Sequence, residues 1–190
     1  MPLLWSDLPE RAFLRAGDAH GLDARTLAAG TKRGELHRAA RGLYYRGVLY
    51  QWGRSIPSVS ETLQALYGDR GYGPAGYSAA QWWGVCRQVP NAEYIATHRA
   101  TEVRGVRYVT RRSSARRHMT PSEIALLELL REGTYMFDDP WEQLVSAVHE
   151  SVVAGRVRTE VLAAALTREP PTTRTHTLRL LNDLRDTVSH

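Results

Sequence analysis

Cysteine occurs once in the 190 residues, as Cys86, which excludes a disulfide framework and a thiolate metal cluster. Lysine also occurs once, as Lys32, so arginine supplies the other 24 of the 25 basic residues. No apolar run approaches the ~20 residues of a membrane-spanning helix. A signal-peptide pattern is missing too, because Leu3-Leu4-Trp5 is followed at once by Asp7, Glu10 and Arg11. These absences predict a cytoplasmic protein with no membrane partner. No fixed-period repeat is visible, which argues against a solenoid. The seven histidines (20, 37, 98, 118, 149, 176 and 190) never stand at the i, i+4 spacing that sets two metal ligands on one helix face.

What is present is a chain that is 43% apolar, enough for a real core in one domain or in a small module joined to a medium one. Its net charge of +5 is unevenly spread: residues 95–120 balance at +6 and residues 121–155 at −6. Arginine suits phosphate and base recognition because its planar fork makes two hydrogen bonds. A GC-rich genome would give the same bias.

The stretch that organises the chain is Lys32 to Arg46, KRGELHRAARGLYYR. It opens on the basic end of a short helical pattern, turns at Gly34, and continues as two strand-like runs, Glu35–Ala39 and Leu43–Gly47, hinged near Arg41-Gly42. A hairpin directly after a helix, carrying Arg38, Arg41 and Arg46, reads as the wing of a winged helix-turn-helix; an ordinary helix-hairpin unit with solvated arginines reads the same way. Upstream, Ser6 is placed to cap a helix through Leu8, Ala12, Phe13 and Leu14 that Gly17 ends. His20-Gly21-Leu22 forms the turn. Asp23 caps a second helix, Ala24–Arg33, which would enter the major groove with Arg25 and Thr26 toward base edges. Gly30 inside that helix costs about 1 kcal/mol against alanine. The candidate DNA-binding residues are therefore Arg25, Thr26, Lys32, Arg33, Arg38, Arg41 and Arg46.

Lys-Arg-Gly-Glu-Leu (32–36) followed by Arg-Gly-Leu-Tyr-Tyr (41–45) resembles the winged-helix segment of AbiEi-type antitoxins of type IV toxin–antitoxin systems. The likeness continues in Gly76-Tyr77-Ser78-Ala79-Ala80, Trp83-Gly84-Val85, Gln88-Val89-Pro90-Asn91 and Arg104-Gly105-Val106, and so covers roughly residues 5–135. It implies a DNA-binding antitoxin that represses its own operon and counters a nucleotidyltransferase-like toxin encoded beside it. The partners it implies are double-stranded operator DNA and that toxin, with a homodimer or paired monomers on inverted repeats as the arrangements open to it. No cofactor is implied.

Gly47 to Pro57 reads as a connector anchored by Tyr50 and Trp52. Ser58-Val59-Ser60-Glu61 is a capping box for a helix ending near Gly68. Gly71-Tyr72-Gly73-Pro74-Ala75-Gly76 lacks the Gly-Lys-Ser/Thr ending of a phosphate loop and reads as a structural turn. Ser78–Gly84 suits a short buried helix. Tyr94–Thr97 and Val103–Thr110 suit two strands of a hairpin turning through His98–Glu102. Thr120-Pro121-Ser122-Glu123 opens a helix with a wide apolar stripe that Gly133 closes, and Asp139-Pro140-Trp141-Glu142 repeats that opening for a helix to about Ala154. Helices over Thr159–Leu166 and near Thr175–Val188 finish the chain, split by Glu169-Pro170-Pro171.

No catalytic constellation emerges. Cys86, beside Trp82 and Val85, reads as a packed thiol, His149-Glu150 as polar helix surface, and Asp139 as a helix cap rather than half of a carboxylate pair with Asp138. Ser78 lacks the nucleophile elbow. A binding protein without enzymatic activity is the expectation. The basic segment has three open explanations. It is a second phosphate-contacting surface through Arg104, Arg107, Arg111, Arg112, Arg116 and Arg117, a dock for an acidic partner, or a counterweight to the chain's own acidic helices.

The expected fold is α/β: a winged helix-turn-helix over 1–50, then a mixed α/β domain over 55–190 with a small sheet and several helices. The runner-up in function is a protein-interaction module whose winged domain no longer binds specific DNA, and the third reading is a nucleic-acid-modifying enzyme. A fragment ending near Gly53 is expected to be largely unfolded alone, since about 50 residues bury too little apolar surface. Circular dichroism on heating checks this, and a cooperative transition would show that the fragment folds by itself.

Overall fold

The computed structural model describes residues 8–18 and 21–188. The chain forms two compact units, Met1–Gly68 with Thr101–Gly105, and Asp69–Ala100 with Val106–His190. Both are of mixed α/β content with small open sheets; among the described residues the first has two helices and the second several.

In the first unit β1 (Ala12–Leu14), β2 (His37–Ala40) and β3 (Leu43–Arg46) form an antiparallel sheet in the order β1-β3-β2, and α1 (Ala24–Lys32) lies between β1 and β2 in sequence. The sequence predicts a helix through Leu14, but Ala12, Phe13 and Leu14 are extended and pair with Arg46, Tyr45 and Tyr44. A short apolar run fits either element. Here the pairing wins because it sets the Phe13 ring 4.9 Å from the Tyr45 ring and buries Leu14 fully. The expected cap Ser6 and the turn residue His20 lie outside the described residues. The β2–β3 hairpin forms where the sequence expects it. Gly42 takes φ 73° at the turn, a conformation glycine adopts without penalty, and the register slips between Arg38 and Ala40. Leu8, Leu14, Leu22, Leu27 and Leu36 make the core of this unit.

A second hairpin, β4 (Leu49–Tyr50) with β5 (Gly53–Arg54), follows. It corrects the expectation of buried anchors: Trp52 at its tip is 88% exposed and Tyr50 54%. Two-residue strands give these side chains no face to pack on. The capping box of α2 (Val59–Tyr67) is present in both halves, with the Glu61 N–H donating to Ser58 Oγ at 3.1 Å and the Ser58 N–H to Glu61 Oε2 at 2.7 Å. These bonds from Ser58 hold the Glu61 carboxyl below its ordinary value. Residues 101–105 join this unit through the Thr101 N–H, 3.1 Å from the Tyr67 hydroxyl, and through buried Val103. The fragment ending near Gly53 therefore lacks both α2, with its buried Leu63, and this returning segment.

The second unit contains β6 (Tyr72–Pro74), α3 (Gly76–Trp82), β7 (Glu93–Thr97), β8 (Val106–Thr110), α4 (Pro121–Glu132), α5 (Trp141–Val153), α6 (Thr159–Ala165) and α7 (Pro171–Val188). Its sheet has the order β6-β7-β8. Two expectations are corrected here. The glycine-rich stretch at 71–76 is an edge strand and a helix start rather than a turn. Gly73 is needed there because a Cβ would stand 2.6 Å from the Pro121 carbonyl oxygen and 2.8 Å from Ile124 Cβ. And β7 with β8 is no hairpin: the strands run parallel, pairing Glu93 with Val106 through Thr97 with Thr110. Eight intervening residues can reach roughly 26–28 Å when extended, enough to return along a five-residue strand without a crossover helix.

At the centre is α4, whose residues 123–130 are all buried. Its capping box forms as read, with Pro121 in the first turn and Thr120 Oγ1 accepting from the Glu123 N–H at 3.2 Å. The start of α5 differs: Pro140 is its N-cap, without a side-chain bond, so Asp139 is not the cap. Asp138 Oδ2 instead accepts the Arg87 backbone N–H at 2.7 Å, and Asp139 pairs with the Arg87 guanidinium at 3.3 Å.

Two glutamates of α4 are charged and inside. Glu128 takes a bidentate pair from Arg111, at 2.9 and 2.7 Å, and a third bond from Arg116. Arg116 in turn forks onto Glu169 at 2.7 and 2.8 Å, and Arg131 reaches Glu169 at 3.6 Å. Glu123 is held by Arg158 at 2.8 Å. Burial pushes Glu128 upward, but Arg111 and Arg116 outweigh it and hold the carboxyl below the ordinary range. Burial likewise raises Glu123, and Arg158 with the Thr120 N–H more than offsets it. Both folded values lie below the unfolded ones. The stability these groups contribute is thus fully present above the unfolded value, about 4.3, and is lost as pH falls through the folded values. The melting temperature should hold from pH 7 to 5 and drop below about pH 4.3. Glu128→Gln, which leaves the Arg116 charge buried with one partner fewer, should cost about 3–5 kcal/mol at pH 7. A urea melt of this variant that overlays the native protein would refute the role given to the network.

Candidate nucleic-acid interface

In α1 the Asp23 side chain accepts the Thr26 N–H at 2.6 Å, as the sequence predicts. The hydrogen bond from the Thr26 side chain leads in holding the Asp23 carboxyl below its ordinary value, with the Arg25 guanidinium contributing. Arg25 and Thr26 are exposed in the first turn of the helix and Lys32 in its last. Arg25 and Lys32, seven residues apart, fall on one stripe of the helix, opposite buried Leu27 and Gly30. Gly30 closes the helix as well: its carbonyl accepts the Glu35 N–H at 2.9 Å and the Leu36 N–H at 3.4 Å, leading the chain into β2.

On the hairpin, Arg38 and Arg41 are exposed. Lys32, Arg38 and Arg41 form no ion pair among the described residues. Arg33 is exposed but pairs with Glu35 at 3.0 Å. Arg46 does not belong with this set. It is only 7% exposed and donates through Nη1 to the Leu8 carbonyl, so it ties the start of the described chain to β3.

The second candidate surface divides in the same way. Arg107, Arg112 and Arg117 in the second unit, and Arg104 in the first, are exposed. Arg111 and Arg116 are turned onto Glu128 and Glu169, which is the internal-counterweight explanation realised for those two residues. Nothing in the local sequence around Arg116 separates it from Arg117; only the presence of Glu128 within an apolar helix face hints at a buried partner. The remaining candidates all lie in the second unit. Cys86 is buried in the core of the second unit, with the Gln88 N–H 3.4 Å from Sγ. Asp138 is bound to Arg87, and His149 is half-buried on α5. Among the described residues no group of three or more His, Cys, Asp or Glu side chains is arranged to hold a metal ion, and no helix is long and apolar enough to cross a membrane.

No family model and no curated protein matches the chain. Among solved structures it is similar to the RV2827C protein of Mycobacterium tuberculosis, at 16% identity over 94% of this chain and 73% of that one, with a TM-score of 0.47. A likeness of that degree carries no argument about function.

Proposed function

We propose that the first unit binds double-stranded DNA, with α1 in the major groove and the β2–β3 hairpin as its wing. On this reading the protein is an antitoxin-like repressor of its own operon that counters a nucleotidyltransferase-like toxin by binding. The supporting observation is one of placement. Arg25 and Lys32 share the outward stripe of α1, and Arg38 and Arg41 stand exposed on the hairpin that follows directly. Such a set offers positive charge both to phosphates and, from the first helical turn, to base edges. The antitoxin part rests on the residue resemblance at 32–45 and downstream, not on the geometry.

A second reading, a protein-interaction module, draws on the β4–β5 hairpin. Leu49, Tyr50, Trp52 and Ile56 are exposed within eight residues, at 62, 54, 88 and 68%, and clustered aromatic and aliphatic exposure of this kind is common at protein interfaces. The two readings are compatible if one surface of the first unit holds DNA and the other a protein.

Replacing Arg38 and Arg41 together by alanine should weaken binding to the protein's own promoter about 10-fold or more and lower the salt slope by about 2, one for each phosphate contact. A gel-shift series at several salt concentrations reads both quantities, and unchanged affinity would remove the wing from the proposal. Arg46→Ala should instead lower the melting temperature and leave the salt slope unaltered, because its guanidinium is spent on the Leu8 carbonyl. Trp52→Ala should leave DNA affinity intact; if it weakened DNA binding as much as the wing variant does, the hairpin would belong to the DNA surface.

A further inference from the structure

Behind the buried ion pairs, the second unit opens into a cavity of about 440 Å³. Arg111, Arg112, Arg116, Arg131, Arg168 and Arg174 line it, with Glu169 as the only acidic residue in the wall among the described residues. The glutamate is not available to repel an anion: Arg116 occupies both of its carboxylate oxygens, and Arg131 approaches at 3.6 Å. Even with Glu128, which stands behind the wall, two carboxylates face six guanidinium groups. Arg112 and Arg174 are exposed and form no ion pair among the described residues, and Arg168 is engaged only by the Ser114 hydroxyl. Ser113 Oγ, also in the wall, is buried with no hydrogen-bond partner among the described residues. Pro170 closes the wall where the eighteen-residue α7 begins, so the positive end of that helix dipole adds to the field.

We propose that this cavity binds a compact small molecule carrying several phosphates. Three features select that class. The excess of guanidinium forks matches phosphate oxygens bidentately. The buried network Arg111–Glu128–Arg116–Glu169–Arg131 holds the floor rigid, so the outer arginines converge on a preformed recess rather than on a flat face. No aromatic side chain among the described residues lines the recess, so its guanidinium groups, and the phosphates they grip, dominate recognition. The recess is also of the size of small-molecule sites, whereas duplex DNA is met by protruding side chains along an extended surface. This site lies in the second unit and stands independently of DNA binding by the first.

Isothermal titration of the full chain with inorganic tripolyphosphate, ATP and sulfate near 150 mM salt tests the proposal. Tripolyphosphate should bind saturably with one site per chain and raise the melting temperature, with sulfate at least 10-fold weaker. Arg112→Ala with Arg174→Ala should weaken tripolyphosphate at least 10-fold and leave the ligand-free melting temperature unchanged, since neither side chain is paired. Arg107→Ala with Arg117→Ala removes the same charge elsewhere in the unit and should change the affinity less than 2-fold. Equal affinity for ATP and tripolyphosphate assigns the recognition to the phosphate chain alone, and tighter ATP binding adds a nucleoside contribution; both support the site. The proposal is overturned by absence of saturable binding, or by equal losses in the two double variants. It is overturned as well if a short DNA duplex displaces tripolyphosphate and loses affinity in step with it in the Arg112/Arg174 variant, which would make the surface a nucleic-acid contact.

Discussion

Arg116 carries a charge that folding removes almost wholly from water, and the second unit is built around the partners that make this tolerable. A buried guanidinium without carboxylates would cost several kcal/mol. Here Nε and Nη2 go to Glu169 and Nη1 to Glu128, so the charge is matched by groups from two distant parts of the chain. Glu128 projects from α4, which is buried along most of its length, and Glu169 lies two residues before the start of α7. The turn at 114–118, the central helix and the entry to the last helix are thereby locked in one arrangement. Apolar packing alone would tolerate small slides between those elements. A forked ion pair, with its fixed plane and two bond directions, does not.

The first unit uses its charges in the opposite way. Its core is a handful of leucines, and among its candidate arginines only Arg46 is drawn inside. Arg25, Arg38 and Arg41 are left in water, where each costs nothing to keep and is free to exchange hydration for a phosphate oxygen. The same residue type thus serves as internal cement at Arg111 and Arg116 and as outward charge at Arg25, Arg38 and Arg41. The difference lies in whether an inward acceptor, a carboxylate for Arg111 and Arg116 or the Leu8 carbonyl for Arg46, is near enough to claim it.

Much of this was legible in the sequence where the signal is local. The capping boxes at Ser58 and Thr120, the cap at Asp23 and the hinge at Arg41-Gly42 each depend on residues within a few positions of one another, and all form. What failed depends on distant partners. Ala12–Leu14 is extended because Tyr44, Tyr45 and Arg46 offer it a strand edge some thirty residues later. Tyr94–Thr97 and Val103–Thr110 were recognisable as strands, although the second begins only at Val106, but periodicity carries no direction, and their parallel pairing is fixed by the path between them. Asp139 looked like a cap because Asp-Pro before a helix usually is one, yet Arg87 claims it from outside the segment. Of the candidate site residues, exposure separates Arg38 and Arg41 from Arg46, and Arg112 and Arg117 from Arg116, and no local pattern distinguishes them.

The path between β7 and β8 has a further consequence for how the molecule is made. Residues 101–105 count with the first unit although the strands on either side belong to the second, so the chain visits each unit twice. No single cut in the backbone yields both units whole. On the ribosome the first unit lacks a segment until residue 105 has emerged, by which time β6, α3 and β7 of the second have already been synthesised. Synthesis cannot finish one unit before starting the other: the two are interleaved in time as they are in sequence, and a gene fusion or truncation that respects one boundary necessarily breaks the other.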